Sequence, residues 1–136
     1  MKKLLSNLKL ENKNENLISL TLFGSYNTEH WYEGKSDIDI LALVRKNDFD
    51  IEFEIENTYR EALQKYFSYD DIHFTFIGLN NFDTVFADIY IDYKDKVIFD
   101  IDLHYDFLMY ISKFNRVNEH LIRLVREDWE SKYGIL

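Results

Sequence analysis

The chain has 136 residues, which fits one domain, and we expect residues 1–136 to form a single domain. Hydrophobic residues make up 46% of it, enough to bury a sizeable core, and a net charge of −9 argues against binding along an extended nucleic acid. The absence of cysteine excludes disulfides and thiolate metal sites and suits a cytoplasmic protein. No apolar run approaches the roughly 20 residues that a membrane span needs.

The first segment predicts an amphipathic helix over residues 2–12, because its leucines recur at helical spacing. An asparagine-rich stretch at 12–16 ends this helix. The segment begins with two lysines but lacks a long apolar region and a small-residue cleavage site, so it does not read as a signal peptide.

Two apolar segments then predict neighbouring strands. LISLTLF (17–23) reads as a short buried strand that Gly24 closes, and SDIDILALV (36–44) reads as a second strand with alternating faces. Successive residues of a strand point to opposite faces, so Asp37 and Asp39 are expected to point the same way.

The rest of the chain predicts three helices and two strands. FDIEFEIE (49–56) alternates like a strand, but the period that follows Ile55 and the capping acids Asp48 or Asp50 favour a helix over 50–67. The remaining elements are a strand at 71–79, a helix at 81–91, a short edge strand at 96–100 and a helix at 104–133 that ends at Gly134. In the last helix we expect a core-facing stripe of Phe107, Ile111, Phe114, Leu121 and Val125. The fold class is therefore α+β (mixed α/β), a small mixed sheet of about four strands with helices packed on it.

The two aspartates at the head of an apolar run need an explanation, because a buried carboxylate is costly unless it is paired or bound to a metal. The Cα atoms of Asp37 and Asp39 should lie about 6.5–7 Å apart, from where both carboxylates can converge on one or two divalent cations. Oxygen ligands select Mg²⁺ or Mn²⁺ over zinc. For such a pair alone we favour two acids at a strand edge that face water, and FDIDL (99–103) repeats the pattern.

The residues before the first aspartate pair separate it from the second copy. Gly24 allows a ligand to approach the backbone closely, and Ser25 can cap a helical turn whose free amide N–H groups hold phosphate oxygens. A phosphate-binding turn and a metal pair about 12 residues apart, at the ends of neighbouring strands, indicate a site for a nucleoside triphosphate.

An apolar strand, Gly24-Ser25, a short loop and then SDIDI (36–40) resembles the signature of the polymerase-β-like nucleotidyltransferases. Size and layout resemble the minimal nucleotidyltransferases of prokaryotes. The resemblance implies a phosphate-binding Gly-Ser turn and a catalytic, metal-binding pair of aspartates. Carried over to this chain, the nucleotide-binding residues are Gly24, Ser25 and Ser36, and the catalytic residues and ligands of Mg²⁺ (or Mn²⁺) are Asp37 and Asp39.

The resemblance also implies an activity and a partner. Family members transfer a nucleoside monophosphate from a nucleoside triphosphate to a hydroxyl, and here we expect AMP from ATP. Many minimal members neutralise a HEPN-domain toxin and can adenylylate it on tyrosine. The implied partners are thus a nucleoside triphosphate and a HEPN-domain protein; the sequence leaves the oligomeric state open.

Two features depart from the family pattern. The loop YNTEHWYEGK (26–35) lacks the usual arginine, so Lys35 is its only cation, and its Trp31 and Tyr32 either stack on a base or pack on the sheet. The resemblance implies a third carboxylate on a later strand, but alignment puts Thr75 in that position. The remaining candidates for a base are Asp71, His73, Asp100 and Asp102; for His73 we favour a structural role.

Three hypotheses follow from the sequence. The first is a Mg²⁺-dependent nucleotidyltransferase. The second is a degenerate member of the family that neutralises a partner by binding alone, which Thr75 and the altered loop favour. The third is an interaction domain without nucleotide, which leaves the paired aspartates without a purpose.

Overall fold

A computed structural model describes residues 3–133, without the side chains at 120–122, 125, 126 and 128–133. The elements in chain order are β1 (Leu17–Phe23), β2 (Ile38–Val44), α1 (Phe49–Phe67), β3 (Ile72–Gly78), α2 (Val85–Asp92), β4 (Lys96–Ile98) and α3 (Ile101–Tyr133). A short 3-10 turn, Leu5–Asn7, precedes them.

The four strands form one mixed sheet in the order β3-β2-β1-β4. Strand β1 pairs antiparallel with both β2 and β4, whereas β2 and β3 run parallel. The predicted sheet of about four strands is confirmed, and so is the position of β4 at its edge.

Helices cover both faces of this sheet, and each face has its own core. Alternate residues of β2 point to opposite cores: Ile40 packs on the side of α1, and Leu41 packs on the side of α2 and α3. Both residues are completely buried. The predicted α+β fold class is therefore confirmed; that residues 1–136 make up a single domain stays a prediction.

The predicted helix over residues 2–12 is wrong for the described part of that segment, where the only helical turn is Leu5–Asn7. Side chains from the body of the protein take the place of helical hydrogen bonds. The carboxylate of Asp95 accepts the backbone N–H groups of Leu5 and Ser6 at 2.7 and 2.8 Å. Leu5 is fully buried and Leu8 is partly buried, whereas Leu4 is exposed, so the leucine spacing reflects partial burial of an irregular segment.

Helix α1 confirms the helical interpretation of the ambiguous segment. The side chain of Asp48 accepts the backbone N–H groups of Asp50 and Ile51, as expected of an N-cap. The buried face of the helix consists of residues spaced four apart: Ile55, Tyr59, Leu63 and Phe67.

The last two helices begin at other residues than predicted. Helix α2 begins at Val85 instead of 81, because the Asn81 side chain accepts the N–H of Gly78 at 2.8 Å and holds the preceding residues in a turn. Helix α3 begins at Ile101, because the carboxylate of Asp100 accepts the N–H of Leu103 at 3.1 Å.

The predicted core stripe of α3 is buried in its first half. Phe107 and Ile111 are completely buried and Phe114 is partly buried. The side chains of Leu121 and Val125 and the whole of Gly134 lie outside the described residues. Among the helices of residues 3–133, none is both long enough and apolar enough to cross a membrane.

Candidate metal and nucleotide site

The turn after β1 forms one wall of the site. Gly24 has a φ of +78°, a left-handed conformation that favours glycine. A Cβ atom at this position would lie 2.3 Å from Oδ2 of Asp39. The sequence suggests that Gly24 makes room for a ligand; the structure adds that it makes room for a carboxylate of the site itself.

The two aspartates lie at the beginning of β2. Asp39 pairs with Phe23 of β1 and with His73 of β3, and Asp37 is the last residue before the strand. Their carboxylates are close enough for a direct hydrogen bond when one of them is protonated. The predicted convergence of the two side chains is confirmed.

The environment of Asp39 makes a negative charge costly there. Burial raises the pKa of this carboxyl above its usual range, and the neighbouring charge of Asp37 raises it further. The charge of Asp71 adds a smaller rise, whereas a positive charge on His73 lowers the pKa. The two carboxylates of Asp37 and Asp39 repel each other when both are ionised. A bound cation would relieve this repulsion.

A histidine occupies the place next to Asp39 on the neighbouring strand. Nδ1 of His73 lies 3.6 Å from Oδ1 of Asp39. One ligand atom each from Asp37, Asp39 and His73 lie within 4.8 Å of one another. Two carboxylates and an imidazole nitrogen are ligands for divalent cations, so these residues fit a divalent cation.

Thr75, which the alignment puts in the position of the third carboxylate, does not lie beside Asp39. Thr75 pairs with Leu41, two residues further along β2, and the residue beside Asp39 is His73. Strand register is set by packing of the apolar residues on both faces, which a single-strand alignment does not include.

The other acidic candidates differ in position. The carbonyl of Asp71 accepts the N–H of Ile38 at 2.9 Å, so this residue lies beside the site. Asp100 lies at the opposite end of the sheet, where it caps α3 and pairs with Arg45 at 2.8 Å. Asp102 is exposed in the first turn of α3. The pattern FDIDL therefore begins a helix and supplies no acid to the site.

An aromatic cluster holds the loop between the Gly-Ser turn and the aspartates. The ring of Trp31 packs edge-on against Tyr26 and Tyr69, with centroids 5.1 and 4.9 Å away. Its indole N–H donates to the carbonyl of Asp37 at 2.9 Å. Of the two alternatives for Trp31, packing is the one observed; Tyr32 is 63% exposed.

The serines of the predicted nucleotide site, Ser25 and Ser36, flank this loop. The carbonyl of Ser25 accepts the N–H of Thr28 at 2.9 Å, which closes the turn after Gly24. The hydroxyl of Ser36 accepts the N–H of Tyr32 at 3.0 Å and holds the other end of the loop. Both residues are partly accessible to solvent.

Comparison with protein families gives a match over residues 7–104 to the family described as polymerase beta, nucleotidyltransferase. The chain belongs to this family. The matched part includes the whole sheet and all three members of the Asp37, Asp39 and His73 cluster. A search of curated proteins found no match.

Sequence reasoning named His73 but favoured a structural role for it. The available signal was the spacing of β3 relative to β2: if Ile38 and Ile72 both begin their strands, His73 falls beside Asp39. The side chain of His73 is 60% exposed, so little of it is used in packing against the sheet.

Proposed function

We propose that this protein is a Mg²⁺- or Mn²⁺-dependent nucleotidyltransferase that transfers AMP from ATP to a hydroxyl. The oxygen of the acceptor hydroxyl forms a bond to the α-phosphorus of ATP, and the hydroxyl proton passes to solvent. The bond from the α-phosphorus to the oxygen that bridges it to the β-phosphorus breaks, and pyrophosphate leaves with that oxygen. The observation that carries the proposal is the direct contact between the Gly24 turn and the carboxylate of Asp39, in a chain of the nucleotidyltransferase family.

Each part of the site has a role in this proposal. The turn at Gly24 and Ser25 offers backbone N–H groups and a hydroxyl to phosphate oxygens, with Ser36 at the other end of the loop. Asp37 and Asp39 hold the cation, and His73 lies beside them. A bound divalent cation neutralises the charge that develops on the phosphate oxygens.

The acceptor we propose is a tyrosine of a HEPN-domain toxin, which gives this protein the role of a cytoplasmic antitoxin. The resemblance to minimal nucleotidyltransferases supports this part of the proposal. The net charge of −9 also supports it, because a basic partner would associate faster with an acidic protein.

The test is incubation with α-labelled ATP, a divalent cation and the product of the neighbouring gene. We expect label on the partner with the wild type and none with Asp37→Asn combined with Asp39→Asn. Absence of transfer in Mg²⁺ and in Mn²⁺, while the partner still binds both proteins, would refute the enzymatic function.

A second candidate function is neutralisation by binding alone, in a family member that has lost transfer activity. The residue beside Asp39 on β3 is His73 and not a carboxylate, and this favours it. The two candidates separate in the same experiment, because a binding protein keeps its effect on the partner when ATP is left out. A rise in melting temperature with ATP and Mg²⁺ tests nucleotide binding in either case.

A further inference from the structure

We infer that the cluster of Asp37, Asp39 and His73 prefers a transition-metal cation, Mn²⁺ in particular, to Mg²⁺. The inference rests on the proposed function in placing the metal at this cluster. It goes further by naming which cation the ligands select. Its basis is the imidazole nitrogen that β3 brings to two carboxylates.

The three ligand atoms are close enough to reach a single shared cation after a small adjustment. The three ligand atoms lie within 4.8 Å of one another. Ligands on opposite sides of a six-coordinate cation with bonds of about 2.1 Å lie about 4.2 Å apart. The limit of 4.8 Å exceeds this span by at most about 0.6 Å, and Nδ1 of His73 already lies 3.6 Å from Oδ1 of Asp39.

The chemistry of the nitrogen ligand decides the selectivity. Mg²⁺ is bound through carboxylate, carbonyl and water oxygens, whereas imidazole suits first-row transition metals. Mn²⁺ accepts carboxylates as readily as Mg²⁺ does and is the softer ion of the two. Replacement of a third carboxylate by His73 therefore removes a ligand that Mg²⁺ would use and supplies one that Mn²⁺ uses.

The location of His73 leaves room for a cation and for further ligands. In the described part of the chain, it is the only basic side chain within 4.0 Å of the carboxylate of Asp39. Its side chain is 60% exposed and that of Asp39 is 21% exposed, so further positions around a cation remain open to solvent or substrate. The competing explanation is a protonated His73 that pairs with Asp39 without any metal.

The experiment measures binding of Mn²⁺ and Mg²⁺ to the full chain by calorimetry without nucleotide. We expect the wild type to bind Mn²⁺ more tightly than Mg²⁺, and His73→Asp to reduce the ratio of the two affinities by about tenfold. His73→Asn should weaken Mn²⁺ binding without a gain for Mg²⁺. His30→Asn is the matched control, because His30 lies in the exposed loop and should leave both affinities unchanged.

A second readout detects the nitrogen itself. Pulsed electron paramagnetic resonance of the Mn²⁺-loaded protein should show ¹⁴N modulation from a coordinated imidazole in the wild type and in His30→Asn. The modulation should be absent in His73→Asp. His73 is exposed, so its variants should fold, and their circular dichroism spectra establish this.

The outcomes separate the inference from the proposed function. Mn²⁺ bound without nitrogen modulation, or an unchanged affinity ratio in His73→Asp, overturns the inference even when AMP transfer proceeds. Nitrogen modulation without AMP transfer in either metal supports the inference and refutes the proposed function. No binding of either metal to the wild type overturns the inference and leaves a His73–Asp39 ion pair.

Discussion

Gly24 and Asp39 are in such close contact that a side chain on the first would overlap the second. A Cβ atom on Gly24 would lie 2.3 Å from Oδ2, 3.2 Å from Cγ and 3.3 Å from Cβ of Asp39. Rotation of the carboxylate alone would not relieve the last of these contacts. The Gly-Ser turn and the aspartate pair are therefore one structural unit, although about 12 residues separate them in the chain.

Gly24→Ala should displace the Asp39 carboxylate and weaken the site. The left-handed φ of +78° adds strain, so we expect a loss of about 1–3 kcal/mol of unfolding free energy. Affinity for Mn²⁺ should fall by about tenfold or more. Calorimetric titration and urea unfolding measure the two effects.

Gly34→Ala is the matched control for this substitution. Gly34 also has a positive φ, +84°, but an added Cβ atom would meet nothing within 4 Å. We expect a similar loss from strain alone, about 1–2 kcal/mol, with metal affinity unchanged. An equal loss of metal affinity in both variants would contradict the role given to the Gly24–Asp39 contact.

Asp39→Asn should stabilise the metal-free protein at neutral pH. The pKa of Asp39 is raised in the folded state by burial and by Asp37, so the folded protein keeps this proton to higher pH than the unfolded chain. The free energy of unfolding therefore falls as pH rises from about 3.8 through the folded pKa, and it stays lowered at pH 7.

In the presence of a chelator we expect the melting temperature of Asp39→Asn to exceed that of the wild type by about 2 °C or more at pH 7. The difference should shrink towards pH 4. Addition of Mn²⁺ should raise the melting temperature of the wild type alone. If Asp39→Asn is less stable than the wild type in chelator, other groups already stabilise the ionised Asp39 carboxylate without a metal.

Tyr69→Phe should loosen the loop that carries the site. The Tyr69 hydroxyl donates to the carbonyl of Ser36 and accepts the N–H of Gly34 at 2.9 Å. We expect a loss of about 1 kcal/mol in stability and a several-fold weaker response to ATP with Mn²⁺ in thermal unfolding.

Tyr66→Phe removes a comparable hydroxyl, one that donates to the carbonyl of Leu4 at 2.5 Å and lies outside the loop. Its stability should fall by a similar amount, about 1 kcal/mol, while the response to ATP with Mn²⁺ stays at the wild-type level. Equal ligand responses in Tyr69→Phe and Tyr66→Phe would argue against a role of loop order in binding.

Lys96 should make stability depend on alkaline pH. Its ammonium donates to the carbonyls of Tyr90 and Tyr93, and burial lowers its pKa to about 8. Between about 8 and 10.5 the unfolded chain binds a proton that the folded protein has lost. The free energy of unfolding should therefore rise with pH across this window.

Comparison with Lys96→Met isolates this effect from other titrating groups. Relative to the variant, the wild type should gain about 1–2 kcal/mol between pH 8 and pH 10.5, once solvent screening of this half-buried group is considered. Urea unfolding at several pH values measures the difference. A constant difference would mean that the two carbonyls keep Lys96 protonated.

The strands and helix α1 were predictable because their patterns are local. In β2, alternation of Asp39, Leu41 and Leu43 with the isoleucines follows from two cores on opposite faces of one strand. In α1, the cap at Asp48 and the four-residue spacing from Ile55 are visible in the sequence. Local hydrogen bonds and burial act together in these segments, so pattern and structure agree.

The N-terminal segment shows where local patterns fail. Its leucines have helical spacing. However, the carboxylate of Asp95, about 90 residues away, accepts the backbone N–H groups of Leu5 and Ser6. A backbone that finds partners in the rest of the protein gains little from helical hydrogen bonds. No property of the first 12 residues indicates that Asp95 lies beside them.

By itself, the sequence determined the sheet, α1 and the family-like arrangement of Gly24, Asp37 and Asp39, because residue spacing along a strand fixes which side chains share a face. Only the tertiary structure decided that His73, not Thr75, lies beside Asp39. The reason is physical: the register between two parallel strands depends on how both of their faces pack, and a shift of two residues keeps every side chain on its own face.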